Sequence, residues 1–270
     1  MKLPICLRRG IAGPSVLAAI LLAAWGGARA CRADPPSDSA WKMTFSDEFE
    51  RGELDLQKWA AESNAPGHVR SARRPENVEV REGVCRLYNR KEKFLGRTWT
   101  GGYIWSREFE QKGGYFEARV KIAAAAGLNN GFWLTPDGRP QTAGYFEIDV
   151  AANYYPDNLE TYANNLDVGK REILAGRWKA PVNLSKDYHV YALLWTDTEL
   201  VWYFDGKEIR RTAISFCRRP ARVRFSTAVT PYGGPESDAI DGTSMDLDYV
   251  RVFKKLEKIP SAVELLNGVQ

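Results

Sequence analysis

Short runs in which apolar and polar residues alternate are the feature that most constrains the fold of this chain. The runs are rich in Val, Ile, Tyr, Phe and Trp and occupy residues 41–45, 115–122, 188–195, 200–204 and 245–253. Dipeptides that favour tight turns punctuate the sequence at Asp137-Gly138, Asp205-Gly206 and Asp241-Gly242. No long helical period appears before residues 261–266, where a turn or two of helix is predicted. Because short strands follow one another without a break in composition, the sequence predicts a single all-β domain, either a sandwich or a barrel.

The first thirty residues have the organisation of a secretory signal peptide. A basic start is followed by ten apolar residues at 16–25 and by the small-residue pattern Ala28-Arg29-Ala30. Since a membrane-spanning helix needs about 20 apolar residues, we expect cleavage, no membrane attachment afterwards, and a secreted or periplasmic protein. Cys31 follows the predicted cleavage site, so lipidation of this cysteine is the alternative, although Ala28 and Arg29 match poorly the Leu-small-small pattern that such processing prefers.

The predicted organisation is a signal peptide at 1–30, a linker at 31–40, one domain at 41–255 and a C-terminal tail at 256–270. The chain holds 38 Lys+Arg and 34 Asp+Glu, and four of the basic residues but none of the acids lie in the signal peptide. The remainder therefore carries 34 charges of each sign, which gives no support for a nucleic-acid partner.

Two histidines and four scattered cysteines form no zinc pattern, and we predict neither a metal nor another cofactor. Chemistry is therefore expected from carboxylates. In an oxidising compartment Cys85 and Cys217 either form a disulfide or remain buried thiols, and the sequence leaves both alternatives open.

One predicted strand, residues 144–152, carries two acids side by side. Because side chains alternate along a strand, Glu147, Asp149 and Ala151 share one face. The opposite face carries Phe146, Ile148 and Val150. Neighbouring like charges disfavour double ionisation, so one carboxyl group is expected to hold its proton more tightly than a free acid does. A solvated strand face is the alternative interpretation of this pair.

Seven blocks, in order along the chain, resemble glycoside hydrolase family 16. They include Gly131-Phe132-Trp133-Leu134 and Glu147-Ile148-Asp149-Val150, and the others lie at 41–49, 114–121, 188–191, 202–206 and 248–252. This resemblance implies a β-jelly-roll sandwich of the concanavalin A-like type. It also implies a polysaccharide partner, a β-glucan or a galactan, sulfated or not, since members of the family are secreted enzymes that cleave such glycans.

The family motif is E-[hydrophobic]-D-x-E, or E-[hydrophobic]-D-x-x-E where the strand has a bulge. In it the first Glu is the nucleophile, the Asp assists it, and the last Glu is the general acid and then the base. The resemblance therefore assigns Glu147 as nucleophile and Asp149 as its assistant. The following Tyr-Pro favours the bulged form, which makes Ala151 the bulge residue and Ala152 the vacant acid/base position. Asn164 stands where this branch is expected to have a histidine on the next strand.

The vacancy at Ala152 predicts severely impaired hydrolysis, because a retaining glycosidase needs a second group to protonate the leaving oxygen. Three acids on the next segment are alternatives for that role: Asp157, Glu160 and Asp167. A further alternative is that Asp149 shares the proton with Glu147. A protein that binds polysaccharide without turning it over is the competing function, and a purely structural scaffold is a third.

Four residues are predicted to bind substrate: Trp133, Asn130, Tyr154 and Asn164. Trp133 is assigned from its place in the family block, and an aromatic face suits the apolar face of a sugar ring. Asn130 is an expected hydroxyl partner or, alternatively, a turn former. Residues 67–97 hold nine basic and four acidic side chains, which favours either an anionic polysaccharide or a pair of solvated basic strand faces.

Overall fold

A computed structural model describes residues 35–37 and 40–256. Among these residues the chain forms seventeen β-strands and two short 3₁₀-helices at Pro75–Asn77 and Asp238–Ile240. The strands are β1 Trp41–Asp47, β2 Trp59–Ala60, β3 Ser71–Arg73, β4 Val78–Arg81, β5 Val84–Arg90, β6 Trp99–Gly101, β7 Tyr103–Ser106, β8 Gly114–Lys121, β9 Leu128–Thr135, β10 Phe146–Tyr154, β11 Asn158–Asn165, β12 Glu172–Lys179, β13 His189–Trp195, β14 Glu199–Phe204, β15 Lys207–Ala213, β16 Arg222–Val229 and β17 Ser244–Lys255. Within this part of the chain, no helix has the length and apolar character needed to cross a membrane.

Two sheets pack face to face. The ten-stranded sheet has the order β15-β14-β13-β8-β17-β5-β6-β3, with β1 paired to β17 and β4 paired to β5. The seven-stranded sheet has the order β12-β11-β10-β9-β16-β7-β2. Pairings are antiparallel except between β3 and β6. Strands adjacent in space are often distant in sequence, as β8 and β17 are, which is the connectivity expected of a jelly roll. The predicted all-β sandwich is confirmed.

The core lies between the sheets and is built from the alternate residues of each strand. In β16, Val223 and Phe225 are fully buried while the residues between them face away from the core. Phe225 stacks on Phe132 of β9 with ring centroids 4.8 Å apart. Burying a large apolar side chain contributes about 1.5–3 kcal/mol, so this layer fixes the sheets against each other.

The predicted strands match observed strands within a few residues, and the turn at Asp205-Gly206 is confirmed. Asp205 has φ 47° and Gly206 has φ 78°, and Phe204 pairs directly with Lys207 across the hairpin. Positive φ at both central positions is the geometry that an Asp-Gly hairpin turn requires.

Several predictions concern residues outside the described part of the chain. These are the signal peptide at 1–30, the lipidation alternative at Cys31, most of the linker, and the helical turn at 261–266. The two cysteines inside the domain, Cys85 and Cys217, are buried and free, so the structure has no disulfide between them. Burial raises the pKa of both thiols, which keeps them protonated and unreactive.

Candidate active site

Strand β10 contains a β-bulge in the middle of the seven-stranded sheet. On one side Asp149 pairs with Trp133, and the next pair is Ala151 with Phe132. On the β11 side the register shifts between Asp149 and Ala152, so that two residues of β10 lie opposite Thr161 alone. The bulge anticipated from the motif is therefore present.

The bulge decides which side chains of β10 share a face. Ala152 pairs with Gly131, which lies two residues before Trp133, the partner of Asp149. Ala152 therefore returns to the face that carries Glu147 and Asp149. Val150 and Ala151 both join the core. Strict alternation, which places Ala151 beside the two acids, is wrong at this point because the bulge adds one residue.

Side chains from the ten-stranded sheet bond to backbone carbonyls beside the bulge. Trp202 of β14 donates its indole N–H to the carbonyl oxygen of Asp149 over 2.9 Å. Arg210 of β15 donates to the carbonyl oxygen of Thr161 over 2.7 Å and to its hydroxyl over 2.8 Å. The Arg210 side chain passes over Gly176 of β12, and a Cβ atom added to Gly176 would lie 2.5 Å from Cδ of Arg210. A bulge interrupts the hydrogen-bond ladder, so these bonds satisfy carbonyl groups and fix the bulged backbone.

Glu147 lies on the exposed face of β10 opposite Asn164 of β11. The Asn164 amide donates a hydrogen bond of 3.2 Å to Oε1 of Glu147. Burial raises the pKa of Glu147, and this hydrogen bond opposes the rise. The positive charges of Arg224 and Arg73 oppose it as well. Glu147 is thus a desolvated carboxylate whose charged form is supported by one amide and two guanidinium groups.

Asp149 is the member of the pair that holds its proton more firmly. Burial raises its pKa well above the ordinary value, and the negative charges of Glu147 and Glu160 raise it further. This agrees with the expectation that one carboxyl group of the pair binds a proton more tightly than a free acid. The site therefore combines an ionisable Glu147 with an Asp149 suited to donate a hydrogen bond.

An aromatic platform lies beside the acids on the same face of the sheet. Trp133 stacks on Tyr103 of β7 with ring centroids 6.0 Å apart, and Tyr103 stacks on Trp105 at 5.2 Å. The Trp133 indole N–H donates to Oγ of Ser226 over 3.1 Å, which fixes the orientation of the ring. Trp133 is partly exposed and pairs with Asp149, so the predicted cleft tryptophan lies next to the acids.

Two arginines join this platform. The Arg73 guanidinium lies 3.7 Å from the centroid of the Tyr103 ring, and that of Arg224 lies 5.2 Å from the centroid of Trp133. Arg224 also donates to the Tyr103 hydroxyl, while its Nε is buried without a hydrogen-bond partner. Burial lowers the pKa of Arg73. Two desolvated cations therefore lie within electrostatic reach of Glu147.

The predicted role of Asn130 in substrate binding is wrong. Asn130 is completely buried, its Oδ1 accepts the backbone N–H of Ala123 over 3.0 Å, and its Nδ2 donates to the carbonyl oxygen of Asn153. Asn130 lies three residues from Trp133 and so points to the opposite face of β9. Asn129 lies on the face that carries Trp133.

Tyr154 lies at the end of β10 on the same face as Ala152, and only 9% of it is exposed. Burial raises its pKa, and the charge of Glu160 adds to the rise. The structure thus brings Tyr154 to the acidic side of the site but leaves little of its surface free for a ligand.

The three acids considered for the vacant position lie in different places. Asp157 is in the turn after β10 and faces Lys179 at 3.5 Å. Asp167 accepts the backbone N–H groups of Gly144 and Val168 in a loop beyond β11. Glu160 pairs directly with Ala152. Only the last of these is adjacent to the vacancy.

The basic segment 67–97 is divided between the site and the surface. Arg73 enters the aromatic platform, whereas Arg74 pairs with Glu76 and Glu92. Arg70 pairs with Glu236 at 3.7 Å. Within residues 35–37 and 40–256, no group of three or more His, Cys, Asp or Glu side chains is placed to hold a metal ion.

Sequence reasoning did not identify Arg224 or Trp202 as parts of the site. The run Arg222–Val229 alternates strictly, and its period places Arg224 and Ser226 together opposite the core residues. That signal could have found Arg224. Nothing local marks Trp202, because its partner lies 53 residues away on the other sheet.

Comparison with known proteins agrees with this geometry. The model of the family described as "Glycosyl hydrolases family 16" matches residues 67–250. A β-glucanase of Rhodothermus marinus is 29% identical over 189 residues, which are 63% of this chain and 65% of that protein. β-Porphyranase C of Zobellia galactanivorans is 24% identical over 233 residues, which are 64% of this chain and 65% of that protein.

A solved structure also matches. The X-ray structure of the laminarinase from Rhodothermus marinus has a TM-score of 0.71 and 25% identity, and the match covers 81% of this chain and 99% of that chain. The alignments with the first three curated relatives span 65%, 34% and 34% of those proteins. The chain therefore covers less than two thirds of the length of each.

Proposed function

The chain belongs to glycosyl hydrolase family 16, and from that premise we propose that it acts on a β-linked polysaccharide, with Glu147 as nucleophile and Asp149 as its assistant. The observation that carries the proposal is the placement of Glu147 and Asp149 on one face of β10, with Asp149 paired to Trp133 of the aromatic platform. We propose a retaining endo-glycosidase whose turnover is weak, since position 152 lacks the family acid.

The first chemical step follows from the arrangement of these groups. The carboxylate of Glu147 attacks the anomeric carbon, and the glycosidic C–O bond breaks with its electron pair on the leaving oxygen. Asn164 holds Oε1 of Glu147, so the second carboxylate oxygen is available for attack. A protonated Asp149 donates a hydrogen bond to the site as charge develops.

Sugar binding is proposed on the partly exposed indoles of Trp133 and Trp105, with the buried Tyr103 ring packed against both. A partly exposed indole face offers the apolar contact that a pyranose ring needs, and neighbouring polar groups meet its hydroxyls. Trp133 pairs with Asp149, so a sugar stacked there lies next to the reacting bond.

The two arginines favour a glycan that carries sulfate or carboxylate groups. Guanidinium groups bind such oxygens through paired N–H donors, and the guanidinium groups of Arg73 and Arg224 both lie against the aromatic platform. Arg73 is the basic residue of segment 67–97 that enters the aromatic platform, and this supports the anionic-substrate alternative over two solvated basic strand faces.

Binding without turnover is the second candidate function, and Ala152 favours it. Positioned acid-base catalysis contributes about 10² to 10⁴ in rate, which the wild-type residue at 152 cannot supply. In this case the cleft recognises polysaccharide and the glycosidic bond survives.

The test is product release from laminarin, mixed-linkage glucan, agarose, porphyran and carrageenan, with Glu147→Gln as the matched inactive variant. A glycan cut by the wild type and left intact by Glu147→Gln supports the enzyme. A wild type that binds a glycan, cuts none, and forms no covalent adduct with a 2-fluoro glycoside bearing an activated leaving group supports the binding protein. Absence of both binding and cleavage overturns the proposal.

We further propose export of the protein through the leader at 1–30. Mass spectrometry of the mature N-terminus tests this, with an unmodified residue near position 31 as the expected result. A lipid on Cys31 would instead support membrane attachment.

A further inference from the structure

The carboxyl group missing at position 152 has a neighbour across the strand pair that can replace it. We propose that Glu160 is the general acid and base of this site. The proposal rests on the proposed function, because it names the proton donor for the reaction that Glu147 begins.

The register of β10 and β11 carries the inference. Ala152 and Glu160 are direct partners across the antiparallel pair. Directly opposed residues have Cα atoms about 4.5–5.5 Å apart, and their side chains project from the same face. Glu160 therefore projects beside the place where the family acid would stand. Ala152 ends at its Cβ, so it does not occupy the space between Glu160 and the cleft.

The carboxyl group of Glu160 lies on the same face of the sheet as Asp149 and Tyr154, since its partner Ala152 shares that face. Its negative charge raises the pKa of both residues. Its side chain is 16% exposed, so it is largely desolvated but still accessible to a substrate. Asp157 and Asp167 lack this register because they lie in turns at either end of β11.

Two neighbours orient the carboxylate of Glu160. The Tyr162 hydroxyl donates to Oε2, and Nε of Arg177 lies 2.8 Å from Oε1. Arg177 is 83% exposed, and exposed ion pairs of this kind are weak, so a substrate can displace it at little cost. Tyr162 pairs with Asp149 and lies between Glu160 and Asn164 along the strand, so it holds Glu160 towards the acids.

The proposed reaction has two steps. In the first, Glu160, which takes up a proton from water once the substrate has displaced Arg177, passes this proton to the leaving glycosidic oxygen as Glu147 bonds to the anomeric carbon. In the second, the Glu160 carboxylate removes a proton from water, and the water oxygen bonds to the anomeric carbon. The bond to Glu147 breaks with its electrons on the carboxylate, and Glu160 regains its proton.

The experiment compares wild type, Glu160→Gln and the control Asp157→Asn on the polysaccharide that the wild type cleaves. It also uses two aryl glycosides of the same sugar, with 2,4-dinitrophenol and 4-methylumbelliferone as leaving groups. The dinitrophenolate group leaves without being protonated by the enzyme. We expect Glu160→Gln to cleave the polysaccharide about 10²-fold or more slowly than the wild type does. The rate on the umbelliferyl glycoside should fall by an intermediate factor. The rate of the glycosylation step on the dinitrophenyl glycoside should fall by less than about threefold.

Azide provides a readout that a structural role would not move. A small anion can attack the glycosyl intermediate without a base, so azide is expected to restore turnover of the dinitrophenyl glycoside by Glu160→Gln and to yield the glycosyl azide. Equal losses on all three substrates, or cleavage of the polysaccharide at the wild-type rate, would overturn the role of Glu160. A wild type inactive on every substrate would instead overturn the proposed function itself, so the two failures are distinguishable.

Discussion

The indole N–H of Trp202, in the ten-stranded sheet, donates a 2.9 Å hydrogen bond to the carbonyl oxygen of Asp149 at the bulge of the seven-stranded sheet. Both sheets thus contribute to the position of the acid-bearing strand. The bulge leaves a carbonyl group that the strand ladder does not satisfy, and the buried indole supplies the donor.

We expect Trp202→Phe to lower the free energy of unfolding by about 1–3 kcal/mol more than the smaller ring alone would lower it, because a buried carbonyl group loses its hydrogen-bond donor. Trp195→Phe is the matched control, since the Trp195 indole is equally buried and its Nε1 has no hydrogen-bond partner. Urea unfolding of both variants measures the difference. Equal destabilisation would show that the hydrogen bond contributes nothing.

Asp149→Asn is expected to stabilise the protein at neutral and alkaline pH. The pKa of Asp149 is raised in the folded state, so its burial becomes more costly as the pH rises above the unfolded value of about 3.9. Asp149→Asn should therefore have a higher Tm than the wild type at pH 8, by about 2–4 °C for each kcal/mol of added stability. Near pH 4 the two proteins should have the same Tm. A gain that is the same at both pH values would contradict an origin in ionisation.

Asn164→Ala is expected to move the acidic limb of the pH profile to higher pH. The Asn164 hydrogen bond lowers the pKa of Glu147, so its loss makes the carboxylate harder to form. Hydrogen bonds to charged groups contribute about 1.5–3 kcal/mol, so we expect kcat/KM on the acidic side of the profile to fall about tenfold or more. Asn158→Ala, an exposed change on the same strand, is the control. An unmoved limb would rule out this electrostatic role.

Trp133→Ala is expected to weaken polysaccharide binding by about 1–2 kcal/mol, or about 5- to 30-fold in Kd, because the stacking surface is lost. Calorimetric titration of Glu147→Gln with and without the second change measures this effect without turnover. Trp41→Ala removes a partly exposed tryptophan from the ten-stranded sheet and should leave the Kd unchanged. Equal losses for both changes would show that Trp133 acts through stability alone.

Arg73→Gln and Arg224→Gln are expected to weaken binding of porphyran and carrageenan more than binding of laminarin, because only the sulfated glycans carry anionic groups for a guanidinium to bind. The salt dependence of binding should also decrease. Arg81→Gln, an exposed change paired with Glu82, is the control. The same loss for sulfated and desulfated galactan would remove the case for an anionic substrate.

The sequence predicts the alternating runs, the turn dipeptides and the Glu147-Ile148-Asp149 strand, because a period of two and an Asp-Gly turn are local properties of the backbone. The presence of the bulge also followed from the motif. The prediction for Asn130 is wrong because closeness to Trp133 along the chain does not place two side chains on one face, and Asn130 shares its parity with Phe132 on the core face.

The sequence by itself determined that this chain forms a β-sandwich with two acids on one strand face, since that outcome depends on neighbours within a few residues. Only the tertiary structure decided what surrounds those acids. Arg73 comes from β3, Arg224 from β16 and Trp202 from the opposite sheet, so their positions around β10 depend on pairing and packing between distant parts of the chain. The pairing of Ala152 with Glu160 likewise depends on the register that follows the bulge, and a shift of one residue would turn Glu160 to the other face.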